Sequence, residues 1–154
     1  MKTSLDHSRQ TLGRFGALCR ERGIPLTVQR RTILELLLQR SDHPTADEIY
    51  DAARKLLPDI SRTTVYRVLE TVVRMGLVRK VSHPGAAVRF DPIPGPHHHL
   101  VCGRCDRIFD LDDAASEKIA VKIPKRKDFT IDDYSIYFRG LCAACRNQKK
   151  GRDA

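Results

Sequence analysis

Residues 43–78, HPTADEIYDAARKLLPDISRTTVYRVLETVVRMGLV, decide the fold. Thr45-Ala46-Asp47-Glu48 reads as a capping box: the Thr45 hydroxyl can accept the N–H three residues on, while the Glu48 carboxylate reaches back to the N–H of Thr45. A helix is therefore expected to open there and to run to about Leu57, where Pro58 halts it. Ser61 offers the next cap, and in the helix beyond it Val65, Leu69 and Val72 recur at i, i+4 and i+7 as a buried face. Thr63, Tyr66, Arg67, Glu70 and Arg74 point the other way, and Gly76 ends the helix.

Working outward, an amphipathic stretch from Arg9 to about Arg22, carrying Leu12, Phe15, Leu18 and Cys19, reads as a first helix stopped by Gly23. Thr27 caps a second, whose Ile33, Leu34, Leu37 and Leu38 make one apolar stripe before Ser41-Asp42-His43-Pro44 breaks it. Downstream, Leu77 to Ser82 and Ala87 to Asp91 read as strands joined by the turn residues His83-Pro84-Gly85. Four helices followed by a hairpin make a winged helix-turn-helix domain over residues 1–91. Pro92-Ile93-Pro94-Gly95-Pro96 cannot be a central strand and reads as a hinge over 92–96. Residues 97–154 then form a second, α/β domain, so the fold class is α+β. In it, His97 to Cys102 and Arg107 to Leu111 are expected strands, Asp112 to about Val121 a helix, and Phe129 to Arg139 one or two further strands.

A chain of 154 residues is near the usual size of one domain and also allows two small ones. No run approaches the about 20 apolar residues of a membrane-spanning helix, and the start, MKTSLDHSRQ, lacks the apolar core of a secretory signal, so a cytoplasmic protein with no membrane partner is expected. Lys+Arg 28 against Asp+Glu 19 gives net charge +9, of which +6 lies at or before Asp91, making the first domain the better polyanion binder. Four of the five cysteines form two C-x-x-C pairs, which suits metal binding in a reducing compartment better than a disulfide framework.

Cys102-x-x-Cys105 and Cys142-x-x-Cys145 let two thiolates from each tight turn reach one ion, and four soft thiolates without histidine make a closed tetrahedral zinc site. A redox-active dithiol pair is the competing reading, although that chemistry usually keeps a single C-x-x-C at a helix N-terminus. Cys19, alone on an amphipathic helix, reads as a buried small hydrophobe. A second constellation offers nitrogen and oxygen donors: His97-His98-His99, Asp91, Asp110 and His43. Strand alternation puts His97 and His99 on one face and His98 on the other. Two or three imidazoles with one or two carboxylates suit Fe²⁺, Mn²⁺ or Zn²⁺, although clustered surface histidines are also common. The third feature is the outward face of the fourth helix. There Arg67 can pair with guanine, while Thr63 and Tyr66 offer methyl, ring and hydroxyl contacts to double-stranded DNA.

The segment at 43–78, followed by RFD, HHHLVCGRCDRIFDL and a late CAAC, resembles the ferric uptake regulator family of bacterial metal-sensing repressors over roughly residues 10 to 146. The resemblance implies a non-enzymatic homodimer with an N-terminal winged helix and a C-terminal dimerisation domain. It also implies a structural zinc on Cys102, Cys105, Cys142 and Cys145, and a regulatory Fe²⁺ or Mn²⁺ at the hinge. Carried residue by residue, the regulatory ligands of the peroxide-responsive branch fall on His43, Asp91, His97, His99 and Asp110. The iron-uptake branch, which controls iron acquisition genes and is the alternative, generally has glutamate where Asp91 and Asp110 stand. Two departures qualify the resemblance. Asp132-Asp133-Tyr134 stands where many members carry a histidine of a further metal site, and His98 stands where the peroxide branch often has tyrosine. The resemblance further implies that iron-dependent oxidation of His43 and His97 by hydrogen peroxide destroys metal affinity and releases DNA.

On this reading one ion draws ligands from both sides of the hinge, closes the dimer and sets two recognition helices about 34 Å apart to match a palindromic operator. A few kcal/mol of metal preference for the closed state moves most of the population into it. Two other readings compete. A metal-dependent hydrolase on His97, His99 and Asp110 lacks an evident general base. A zinc-uptake sensor would more often include a thiolate in its regulatory site, and the clustered cysteines are already assigned.

Overall fold

Thr27, Thr45 and Ser61 each open a helix by accepting a backbone N–H three residues on, from Arg30, Glu48 and Thr64. At Thr45 the box is complete, since Glu48 Oε2 accepts the Thr45 N–H at 2.7 Å. The computed structural model describes residues 4–82, 87–93, 97–111, 119, 127–131 and 134–150. It divides into two units, Met1–Pro94 and Gly95–Ala154, the division falling inside the Pro-rich stretch.

The first unit holds α1 (Ser4–Glu21), α2 (Val28–Leu38), α3 (Ala46–Leu56) and α4 (Arg62–Arg74), then β1 (Arg79–Val81) and β2 (Arg89–Asp91). α1 and α4 end in the same way. Gly23 and Gly76 take the left-handed conformation (φ +62° and +66°), and the next N–H closes a six-residue loop, Ile24 to the Cys19 carbonyl and Leu77 to that of Val72. Apolar stripes of all four helices meet in one core that includes Phe15, Ile33, Leu37, Ile49, Val65, Leu69, Val72 and Leu77, to which β2 adds Phe90. Each such large side chain, once buried, contributes about 1.5 to 3 kcal/mol of transfer free energy. Cys19 lies fully inside this core. β1 and β2 pair antiparallel with Lys80 opposite Phe90, and the N–H of Phe90 donates to the Pro44 carbonyl, which fastens the wing to the start of α3.

In the second unit β3 (His99–Cys102) lies between β4 (Ile108–Asp110), antiparallel to it, and β5 (Tyr137–Gly140), parallel to it. α5 (Ala143–Lys150) follows. Register puts Leu100, Phe109 and Phe138 abreast on one face of the sheet, and His99, Asp110 and Tyr137 abreast on the other.

Several elements differ in extent from their sequence reading. α1 begins at Ser4 rather than Arg9, with Asp6 in its first turn where an acid favours the helix dipole. Strands 77–82, 87–91, 97–102 and 107–111 shorten to three or four residues each, because only those central positions pair. Among the described residues of 129–139, regular strand begins at Tyr137 and runs on to Gly140. The turn at His83-Pro84-Gly85, most of the Pro-rich stretch, the helix expected from Asp112 and the pair Asp132-Asp133 lie outside the described residues.

Candidate metal centres

The hairpin β3–β4 turns through the first C-x-x-C. The N–H of Asp106 donates to the Cys102 carbonyl and that of Cys102 to the Arg107 carbonyl, with Asp106 in the left-handed region (φ 52°), which its short polar side chain tolerates. The second pair sits where β5 passes into α5. One sulfur from each of Cys102, Cys105, Cys142 and Cys145 falls within 4.8 Å of every other, and none forms a disulfide. Cys105 Sγ and Cys142 Sγ are 3.9 Å apart. Tetrahedral zinc with Zn–S bonds of about 2.3 Å requires sulfurs about 3.8 Å apart. The four sulfurs are thus gathered closely enough to hold one zinc, with the Cys105–Cys142 pair already near the tetrahedral spacing.

The electrostatics favour thiolates at Cys102 and Cys105. The backbone N–H of Cys142 donates to Cys102 Sγ at 3.4 Å, and this bond brings the Cys102 thiol down to about 6. Arg107, not singled out by the sequence reading, donates from Nε to Cys105 Sγ at 3.4 Å and lies 3.9 Å from Cys142 Sγ; its guanidinium lowers the Cys105 thiol. Burial pushes Cys145 the other way, up to about 12, so this thiol would release its proton to solvent only when a metal ion takes its sulfur.

The nitrogen and oxygen donors form two groups, one in each unit. In the first, His43 Nε2 lies 3.6 Å from Asp91 Oδ1, and each side chain is 1% exposed. His43 takes a left-handed backbone (φ 48°) immediately before Pro44, an uncommon conformation outside glycine. The Ile93 N–H donates to Asp91 Oδ1 at 2.8 Å, orienting the carboxylate. In the second group Asp110 Oδ1 is 3.1 Å from His97 Nε2 and 3.9 Å from His99 Nε2, and the two imidazole centroids are 4.5 Å apart. Tyr137 stacks on His99 at 5.2 Å, while His98 turns to Tyr134 at 5.8 Å. The alternation expected of 97-98-99 is thus observed, with two imidazoles on the Asp110 side. Borderline nitrogen and hard oxygen donors of this kind fit Fe²⁺ or Mn²⁺ better than the thiolate cluster does.

On α4, Thr63, Tyr66 and Arg67 are exposed, while Val65, Val68, Leu69 and Val72 face the core. A polar groove of about 240 Å³ runs between this helix and the start of α2, lined by Thr27, Gln29, Arg30, Thr64, Arg67 and Thr71. Arg30 adds a cation that the sequence reading did not single out; its position three residues after the Thr27 cap was the available signal.

Residues 21–139 match the ferric uptake regulator family. The chain belongs to that family. As a member it is a dimeric, metal-binding, DNA-binding regulator of transcription and not an enzyme. The regulator is 30% identical over 145 residues to the peroxide-responsive repressor PerR of Staphylococcus epidermidis, covering 94% of this chain and 95% of that one. Its fold is similar to the ferric uptake regulator of Helicobacter pylori (TM-score 0.68, 18% identity, 90% and 93% of the two chains). It also resembles the Campylobacter jejuni peroxide stress regulator (TM-score 0.58, 28% identity, 76% and 88%). No helix among the described residues is long and apolar enough to cross a membrane.

Proposed function

We propose that this regulator is a peroxide-responsive repressor, working in the cytoplasm, whose regulatory Fe²⁺ or Mn²⁺ is held by His43, Asp91, His97, His99 and Asp110. The observation that carries the reading is an all-nitrogen and oxygen donor set with aspartate at both carboxylate positions, separate from the four sulfurs. The likeness to a peroxide-responsive repressor along most of both chains supports it.

His43 and Asp91 belong to the DNA-binding unit, and His97, His99 and Asp110 to the unit that dimerises. One ion drawing on both fixes the spacing of the two recognition helices, so that Thr63, Tyr66 and Arg67 engage successive half-sites of a palindromic operator. Ferrous iron held there would supply the redox chemistry that activates hydrogen peroxide beside the ligating imidazoles, and the family resemblance implies His43 and His97 as the ones oxidised. In the net reaction the ring is oxidised by two electrons: one peroxide oxygen becomes bonded to a ring carbon and the other leaves as water. An oxidised imidazole is a poorer donor, so the ion is lost and the operator is released. The cysteines take no part, since zinc masks their sulfurs.

The test is operator binding with Fe²⁺, Mn²⁺ or Zn²⁺ in turn, before and after a small dose of hydrogen peroxide. Release from the iron form alone supports peroxide sensing. Iron-form binding that is indifferent to peroxide supports the alternative, control of iron acquisition by iron itself.

A further inference from the structure

Arg89 is a buried arginine (7% exposed) on the strand that also carries Asp91. Being two residues apart on β2, the two side chains share a face, and both address His43. Asp91 lies against the imidazole, whereas Arg89 Nη1 donates to the main-chain carbonyl of His43 at 2.9 Å. The same guanidinium nitrogen is 3.3 Å from Glu48 Oε2, the oxygen that closes the capping box on Thr45. Thr45 in turn bridges Arg89 across the backbone, and the Phe90 N–H holds the Pro44 carbonyl. His43 is therefore the first residue of a loop fixed at its carbonyl, at Pro44 and at Thr45. Its left-handed backbone is a conformation that persists only where surrounding structure over-determines it.

We propose that Arg89 is the positioning residue for the DNA-binding unit's half of the regulatory site: held by Glu48, it fixes the His43 carbonyl and thereby aims the imidazole along Asp91. The inference rests on His43 being a ligand, as in the proposed function. Every contact in it lies within Met1–Pro94, so this half of the site is formed by the fold itself. Lysine keeps the charge and a donating nitrogen, but on a flexible stem without the rigid planar guanidinium that holds Nη1 between the His43 carbonyl and Glu48.

The test is Mn²⁺ affinity of the full-length, zinc-loaded dimer, read by electron paramagnetic resonance of free Mn²⁺, with zinc content and thermal midpoint measured alongside. Arg89→Gln should weaken Mn²⁺ binding by about 10- to 100-fold, the usual effect of removing an outer-shell partner, while zinc stays bound. Arg89→Lys should recover part of that loss. In a His43→Ala background the same Arg89→Gln change should leave the residual affinity unaltered, because the ligand it aims is gone. Wild-type Mn²⁺ affinity in Arg89→Gln, or an equal loss with and without His43, would overturn the proposal. Should Arg89→Gln fail to fold, Glu48→Gln carries the test, since its amide oxygen still accepts the Thr45 N–H but no longer holds Arg89 by charge. Reduced affinity that depends on His43 supports the clamp, and unchanged affinity overturns it. If His43→Ala alone binds Mn²⁺ like the parent, the assignment of His43 as a ligand fails, which is a different failure from that of the clamp.

Discussion

Asp91 Oδ1 lies 3.6 Å from His43 Nε2, with both side chains shielded from water inside the DNA-binding unit. A carboxylate and an imidazole buried this completely are expensive to hold unless they serve each other or a metal ion. The two sit at the end of β2 and just before α3, which packs against α4, so on the proposed function an ion bound to them would be coupled to the proposed recognition helix through the fold of this unit, without contact between metal and DNA.

Loss of a zinc thiolate should be costly. Cys102→Ser or Cys142→Ser is expected to lose about one zinc per chain and to weaken folding or dimerisation, since forming the site contributes folding free energy directly. Metal analysis with sedimentation checks this; a mutant that keeps zinc and dimer would mean that the four sulfurs are not the zinc site.

Protonation of those thiols gives a pH signature. Cys102, lowered to about 6, is already ionised at neutral pH, whereas Cys145, raised to about 12, still carries its proton. Zinc uptake by the reduced metal-free chain near neutral pH should therefore release fewer than four protons, Cys102 contributing almost none. As pH falls through 6, Cys102 protonates and its share of the release appears. Calorimetry in two buffers of different ionisation enthalpy counts the protons, and a full four at neutral pH would contradict the assigned ionisation.

The recognition surface should lose affinity through one side chain. Arg67→Ala is expected to cost about 1 to 3 kcal/mol on a specific operator if Arg67 reads a base, and to act evenly across sequences if it holds a phosphate. Band-shift titrations on specific and scrambled duplexes distinguish the two, and unchanged affinity for both would remove α4 as the recognition helix.

Dimerisation should depend on the sheet face opposite the histidines. Leu100, Phe138 and Leu141 are each at least 40% exposed, and Phe109, on the edge strand β4, lies directly opposite Leu100. A patch of this kind marks an interface. Phe138→Glu is expected to shift the protein towards monomer at micromolar concentration with zinc retained; an undisturbed dimer in sedimentation would place the interface elsewhere.

Much of this organisation was legible because local chemistry and fold agree. Thr27, Thr45 and Ser61 declare their helices by capping chemistry that depends on only three or four neighbouring residues, and the paired C-x-x-C spacing pointed to the clustering of four sulfurs that the fold shows. Strand ends were not legible, since pairing partners decide them: β5 starts at Tyr137 only because that residue meets His99. The clamp on His43 was invisible for the same reason, Arg89 lying far along the chain from the carbonyl and carboxylate that it joins. Arg107 was missed because nothing in its sequence surroundings distinguishes it from a solvated arginine.

Asp110 offers a graded test of the regulatory site. Its carboxylate is 3.1 Å from His97 Nε2, and Asp110→Glu lengthens that arm by one methylene. The change is expected to preserve metal-dependent operator binding while blunting the response to peroxide, measured as the peroxide dose that half-releases DNA. An unchanged dose would separate Asp110 from the sensing chemistry.

The most direct measurement is peptide mass spectrometry of the iron-loaded and manganese-loaded dimers after a brief exposure to low hydrogen peroxide. The account predicts a single added oxygen on the peptide containing His43 or the one containing His97, in the iron form only, in step with the release of operator DNA. No added oxygen at either histidine while the iron form releases DNA, or equal release from the iron and manganese forms, would contradict it.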